Sequence, residues 1–478
     1  MEKLVLYGAG KRGRELCELL TQCGIVIAGI FDSAPDKWNE KIGAIKVQPP
    51  ELLPQFFDAQ YCITIGNDQI SSKIRDGLIY KYHFRPEQEV PYAKLLLEAY
   101  KAAPELKQAL TPHAHIGDSR PAVLFDCPNG LTLGGVQSWT RDICSALIYA
   151  GHKDICILSD QNEYDTPPIL QDHIIPVYRE HEDIFSKSII QAQIEIIMNK
   201  LPCRVVTSWV NELMLAAYLV KLQYPKMVKI ISVIHEGNER VYAAYLEFIE
   251  CLDLVVGVSQ DIKAAMLQRG VAEHLVSAME CPFACEENLS RTYSQAETEP
   301  IRIGFAGRLD TASKRTDLLL KLFAVLAEQE IAFEVELAGD GPSMAEMERW
   351  VWASGLQESV RFLGSLDRSQ ISQFWKRQDV CVNLSDSEGR CISIIEAMGN
   401  GAVPVVTETS GVREDIENDV SGYIVPIGDY QLAASKIEYL SRHKSRLKEM
   451  GKLAHDSVFP KSSMGPHLQL WERFLELL

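Results

Sequence analysis

Short apolar runs alternate with stretches of helical periodicity along almost the whole chain. Residues 3–7 (KLVLY) have the pattern of a short buried strand. They are followed by Gly8-Ala-Gly10-Lys-Arg-Gly13 and an amphipathic stretch at 14–20. Residues 25–31 predict a second strand ending at Asp32, and 61–65 a third ending at Gly66-Asn67. This first unit closes near Tyr92. Residues 93–118 read as a connecting helix and loop, where His113 and His115 suit solvent better than a ligand. A new strand at 122–125 leads through a loop to Gly134-Gly135. The helix after it, 136–150, sets Val136, Trp139, Ile143, Leu147 and Ile148 at helical spacing. Strands follow at 154–158, 204–207, 229–234 and 254–259. The polar stretch 286–300 reads as an interdomain linker. Beyond it, strands are predicted at 301–306, 333–338, 360–363, 380–384 and 402–406. A last helix, 464–478, places Leu468, Leu470, Trp471, Phe474 and Leu477 on or near one face. Its flanks are not strongly basic, so it is expected to dock back on the protein rather than on a membrane. Strand and helix alternating in this way predict an α/β protein with parallel sheets.

Bulk properties narrow the class. The 478 residues suffice for about three domains, and 46% apolar with 24% charged residues is the balance of a globular protein. No run of eighteen apolar residues occurs. The amino terminus has no long apolar stretch of the signal-peptide kind. The net charge of −17 argues against nucleic acid as a partner and gives no general pull toward anionic lipid. The 12 cysteines are scattered through apolar segments, so reduced thiols and a cytoplasmic location are expected. Cys281 and Cys285 are the closest pair but have no further ligands nearby, so no metal site is expected.

The candidate chemistry sits where strands run into glycine-rich turns. Gly8, Gly10, Gly13 and Asp32 have the strand–turn–helix–strand layout of a dinucleotide fingerprint. Gly134-Gly135, between a strand and a helix, is either a tight turn or a place where backbone N–H groups approach a phosphate. Arg308 and Lys314, after the strand at 301–306, either reach a diphosphate or belong to a solvated loop. His235 ends a strand beside polar residues and is either a structural imidazole or a sugar contact. The richest stretch is 385–401, SDSEGRCISIIEAMGNG. Glu388 lies on its loop and Glu396 within the helix that follows. Two carboxylates flanking a helix N-terminus suit a ligand with phosphate in the middle and hydroxyls at the edges. A nucleotide sugar has that chemistry.

Taken in order, these pieces resemble the retaining family-4 glycosyltransferases of the GT-B type, over residues 120–478. The matching elements are Leu133-Gly-Gly-Val136, Val258-Ser259, Gly307-Arg308-Leu309 with Lys314 and Asp317, and Ala338-Gly-Asp-Gly-Pro342. Then come Glu388 and Glu396-Ala-Met, Gly401-x-Val-Pro-Val-Val406, Gly411-x-x-Glu414 and Asn418-Asp-Val-Ser-Gly422. The resemblance implies a GT-B fold of two facing Rossmann-like domains, 120–298 on the acceptor side and 299–478 on the donor side. Residues 1–92 form a small Rossmann-like domain ahead of them, and 93–119 a linker. The implied activity is retaining transfer of a sugar from a nucleotide sugar, a UDP-sugar foremost, to a glycan, lipid-linked or protein acceptor, with neither metal nor cofactor. Arg308 and Lys314 would neutralise the diphosphate, Glu388 would meet sugar hydroxyls and Glu396 ribose hydroxyls. Gly135 would face the diphosphate and His235 the sugar. Gly389, Arg390, Cys391 and Ile392 would line the donor, with Leu363 and Leu366 framing the base.

The sequence departs from the family at three places. Gly389-Arg390-Cys391 replaces the usual Gly-Phe-Gly, Arg315 replaces a glycine, and Gln137 replaces a glutamate. The first change leaves the donor sugar open, and Arg390 could meet an anionic sugar such as a uronic acid. The N-terminal unit either binds a nucleotide through Gly8, Gly10, Gly13 and Asp32 or serves as a structural or assembly module. Peripheral membrane contact and oligomerisation through it stay open. The rival readings are a GT-B nucleotide-sugar epimerase and a binding or assembly protein with a degenerate transferase core. An oxidoreductase built on Gly8–Gly13 has no second-domain residues to support it.

Overall fold

The computed structural model describes residues 3–65, 68–110, 121–128, 130–131, 134–159, 166–177, 187–283, 285–296 and 298–477. Gly66, Asn67, His113, His115 and Leu133 lie outside the described residues. Three sheets succeed one another along the chain. The first holds β1 (Leu4–Tyr7), β2 (Ile27–Phe31), β3 (Lys41–Ile42), β4 (Ile45–Gln48) and β5 (Gln60–Ile63), in the order β3-β4-β2-β1-β5. The β3–β4 pair is antiparallel and the rest are parallel. The second holds β6 (Ala122–Asp126), β7 (Ile155–Ser159), β8 (Ile174–Pro176), β9 (Cys203–Thr207), β10 (Val228–Ile234), β11 (Leu254–Gly257) and β12 (Val276–Ala278). Its order is β12-β11-β10-β9-β6-β7-β8. The third holds β13 (Ile301–Ala306), β14 (Phe333–Ala338), β15 (Val360–Gly364), β16 (Val380–Asn383), β17 (Val403–Thr407) and β18 (Tyr423–Val425), in the order β15-β14-β13-β16-β17-β18. The strands of the last two sheets pair in parallel. Central strands such as β6 and β17 are buried along their whole length, because helices cover both faces; this is why they read as unbroken apolar runs.

In each sheet the strand order reverses once, between β1 and β5, between β6 and β9, and between β13 and β16. The crevice outside the carboxyl ends of the strands at such a reversal is where open α/β sheets hold ligands. The loops that carry Gly8, Gly135 and Arg308 all leave from these points.

Two stretches expected to be connectors are built into the packing. Within 93–119, residues 93–102 continue the helix Tyr92–Ala102, whose Leu96, Leu97 and Tyr100 are buried. That helix contacts both the helix Lys11–Gln22 and the helix Glu212–Gln223. Ala93 N–H donates to Glu247 at 3.3 Å, and the Lys101 ammonium lies 5.5 Å from the Tyr218 ring. One apolar core therefore runs through the first and second units. The described residues of 286–300 form no helix or strand, yet they are strapped to the third unit. Arg291, 1% exposed, donates to the carbonyls of Asn400 at 2.9 Å and Gln378. Tyr293 donates to Gly401 O at 2.9 Å and Ser294 to Asp379 at 2.6 Å. The passage between units falls earlier. Met279 N–H still bonds Gly257 O in the second unit, whereas Phe283 is buried in the third.

The last helix, Met464–Leu477, returns to the second unit. Trp471 is fully buried, with ring centroids 5.6 Å from Trp139 and 6.0 Å from Phe125, and Arg204 donates to Leu475 O at 3.2 Å. Among the described residues no helix is long and apolar enough to cross a membrane.

Candidate functional site

The reversal between β13 and β16 gathers the charged residues. After β13, Asp310 Oδ1 accepts the amides of Ser313 at 2.7 Å and Lys314 at 3.3 Å, which shapes the loop. Arg315 follows at φ +50°, where glycine would be at ease. Its guanidinium reaches Asp317 and Asp386, each at 2.9 Å. This fork ties the β13 loop to the β16 loop and offsets the backbone strain, which accounts for an arginine at a glycine position. The Lys314 ammonium pairs with Glu388 and lies 4.0 Å from Cys391 Sγ. Burial opposes its charge, but the paired Glu388 carboxylate more than compensates, so Lys314 is held protonated. Arg308 is 72% exposed, and its nearest carboxylate is Asp310 at 4.0 Å. It is the exposed cation of the set and Lys314 the buried, paired one.

Cys391 caps the helix Ile392–Gly399 with no side-chain hydrogen bond to the helix N–H groups. Its thiol accepts from Asn383 at 3.3 Å and lies 3.2 Å from Ser393 Oγ; burial pushes its pKa up, so it stays a neutral thiol. Glu396 is half-buried in the same helix, and Ile392 packs against the core of the second unit. Leu363 and Leu366, half-buried at the end of β15, pack against the smaller core of the third unit.

Arg390 is placed otherwise than expected. Its side chain is 1% exposed and forms a fork with Asp415 at 2.9 and 2.6 Å. Lys461 reaches the same carboxylate at 3.0 Å. A buried guanidinium paired in this way cannot turn to a sugar without leaving Asp415 as an unpaired buried charge. Arg390 is thus a structural cation, and of the two departures from Gly-Phe-Gly only Cys391 faces the site. No sequence signal linked position 390 to Asp415, which lies beyond an entire strand.

The second unit faces this cluster closely. A Cβ at Gly389 would fall on the His235 carbonyl, so no side chain fits there. Gly237 N–H donates to Glu388 O at 3.2 Å, and Asn238 to Ser387 Oγ at 3.3 Å. A reciprocal clasp lies beside them. Glu414 accepts the amides of Gln260 at 2.7 Å and Asp261 at 3.2 Å, at the start of the helix Gln260–Gln268. Asp261 in return accepts Gly411 N–H at 2.9 Å, at the cap of the helix Val412–Asp415. Each unit caps a helix of the other. His235 is half-buried, but its Nε2 is occluded and has no hydrogen-bond partner, and its ring lies edge-to-face with Trp139 at 4.9 Å. Burial pushes its pKa down to about 3, so the imidazole is neutral. Gly135 is exposed and opens the helix Gly135–Tyr149, whose cap residue Gly134 offers no side-chain oxygen to its N–H groups.

In the first unit the glycine fingerprint has a packing origin. Gly8 sits at φ +118°, and a Cβ at Gly13 would collide with the Gly8 carbonyl. Asp32 accepts from the amides of Ala9 at 2.7 Å and Ala34 at 2.9 Å and from Lys37 at 3.1 Å. Burial opposes its charge, but these donors outweigh it and hold the carboxyl below the usual range. The carboxylate of the glycine fingerprint is thus engaged by the protein itself. Gly10 alone of the four opens onto free space.

Residues 287–456 match the family Glycosyl transferases group 1. The amylovoran biosynthesis glycosyltransferase AmsK of Erwinia amylovora is 28% identical over 186 residues, 36% of this chain and 45% of that protein. The uncharacterized glycosyltransferase YqgM of Bacillus subtilis is 24% identical over 229 residues, 47% of this chain and 62% of that protein. The chain thus spans less than two thirds of either relative. Among solved structures, Anabaena HepE in complex with UDP-glucose superposes with a TM-score of 0.61 at 17% identity, over 75% of this chain and 100% of HepE. The lipopolysaccharide outer core galactosyltransferase WaaB gives 0.58 at 14% identity, over 75% and 100%. The chain has the GT-B fold, preceded by an additional small sheet domain, and the match to the glycosyl transferases group 1 family falls in its last unit.

Proposed function

We propose that this protein is a retaining glycosyltransferase that takes a sugar from a nucleotide-sugar donor, with UDP-sugars first among the candidates, and needs no metal. The observation that carries this reading is the Lys314–Glu388 pair at the β13/β16 reversal, flanked by exposed Arg308 and the helix start at Ile392. A held cation, Lys314, with exposed Arg308 beside it and a helix N-terminus suit the negative charge that grows on a departing diphosphate. Lys314 stays protonated at neutral pH, so it can stabilise that charge without first gaining a proton. Glu388, an acceptor two residues from the buried Arg390, is suited to sugar hydroxyls, and Glu396 to a ribose. Neutral His235 is suited to a hydrogen bond with the sugar rather than to a charge–charge contact. The likeness to HepE, whose structure holds UDP-glucose, supports UDP-sugars. With Arg390 paired to Asp415, the reading of an anionic donor loses its motivation.

Thermal shift with UDP-, GDP-, ADP- and dTDP-sugars in the presence of EDTA tests this. At least one is expected to raise the melting temperature through binding to the folded state. In the Glu388→Ala protein, donor turnover should disappear while the fold persists. No shift with any donor would refute the proposal.

A further inference from the structure

The loop after β9 holds an isolated exposed side chain. From Val205 to Val220 every residue is buried except Trp209, 36% exposed, and half-buried Val210. The strand register fixes where it stands. Thr207 pairs with Ser232 across β9 and β10, their hydroxyls 2.8 Å apart. Two residues further on come Trp209 on one side and Ile234, followed by His235, on the other. On the opposite flank Val206 pairs with Phe125 of β6, and Asn211 donates to the Asp126 carboxylate. Trp209 therefore stands at the carboxyl edge of the second sheet, at its reversal point, between the loop of His235 and the loop leading to Gly135. Its support is rigid: Asn211 also caps the helix Glu212–Gln223, accepting Met214 N–H at 3.3 Å, and nine residues of that helix are buried.

We infer that Trp209 is a stacking platform for a pyranose ring of a saccharide acceptor. An indole offers a wide apolar face and an N–H at its edge. The C–H face of a pyranose matches the first and its hydroxyls the second. A lipid-linked diphosphate would want cations here, but the described polar side chains nearest in the chain and across the strand ends, Ser208, Asn211, Glu212, Asp126 and Glu236, include no cation. Arg204, the one cation of β9, faces the other way and donates to Leu475 O. The inference rests on the transferase reading for the word acceptor, and extends it to the class of acceptor.

Saturation-transfer NMR on the full chain tests it, with UDP plus glucose, galactose, N-acetylglucosamine, maltose and cellobiose as probes. Ring C–H signals from at least one sugar are expected. They should fall about fivefold in Trp209→Ala and persist in Trp209→Phe, since one aromatic contact is worth roughly 1 kcal/mol. UDP signals and the melting temperature should be the same in all three proteins. No sugar signal, an undiminished signal in Trp209→Ala, or equal loss in Trp209→Phe would overturn the platform. Absent UDP signals would instead overturn the donor reading, leaving the sugar signals to judge Trp209 on their own.

Discussion

At the scale of the residue, Gly389 is a tight constraint where the two units meet. It lies between the donor-side glutamate and a paired arginine, and only hydrogen fits beneath the His235 carbonyl. Gly389→Ala should therefore force the two units apart locally and lower kcat/KM for donor turnover by at least about tenfold, because misplacement by an ångström is enough to do so. The melting temperature should hardly move, since the added methyl meets the other unit and not its own core. Steady-state kinetics with a melting curve decide it, and unchanged kcat/KM would mean that the working enzyme does not close to this distance. That Lys314 and Glu388 stand on loops at strand ends was legible in the sequence, because apolar runs end just before each loop; that they pair was not. The Arg390–Asp415 pair was not, because an arginine at the edge of a site and an arginine turned into the core read identically until the fold places a carboxylate beside one of them.

At the scale of the element, the cleft is held by helix ends. The helices that start at Gln260 and Val412 lend each other their acidic side chains, Asp261 and Glu414. A double-mutant cycle with Asp261→Ala and Glu414→Ala should give a coupling energy of roughly 0.5–3 kcal/mol, the range for residues that share one hydrogen-bond network. Small-angle scattering should show a larger radius of gyration in the double variant. Zero coupling with unchanged scattering would make the clasp incidental. Strand positions were largely readable from apolar runs, since parallel strands covered on both faces leave no polar alternation to confuse them. The connectors were harder to judge. The polar stretch 286–300 looks solvated by composition, yet Arg291, Tyr293 and Ser294 turn inward to unpaired carbonyls and to Asp379, a demand set by the ends of other elements.

At the scale of the whole molecule, the chain crosses back on itself. The last helix leaves the third unit and closes an aromatic cluster of Phe125, Trp139 and Trp471, with His235 against the Trp139 edge. Trp471→Ala should reduce stability by about 3–5 kcal/mol, as large-to-small changes at fully buried aromatic sites do. It should also loosen the His235 ring, seen as a rise of its imidazole pKa from about 3 toward the ordinary value as water gains access. Chemical denaturation and NMR titration check the two effects, and a pKa that does not move would show that Trp139 alone fixes the ring. The first unit is joined to the second by a shared helix and one continuous core, so its removal would bare Leu96 and Leu97.

The amino-acid sequence by itself determined the strand–helix alternation, the glycine turns at strand ends and the order of charged residues around Glu388. These follow from local periodicity and from side-chain chemistry, which need no knowledge of distant neighbours. Tertiary structure alone decided which charges face the cleft and which face each other: Lys314 toward Glu388, Arg390 toward Asp415, Asp32 toward its own glycine loop. It also decided that Trp209 emerges where its neighbours are buried. The physical reason is the same in each case. The orientation of a charged or aromatic side chain is set by what the rest of the chain places around it, and that partner lies tens to hundreds of residues away.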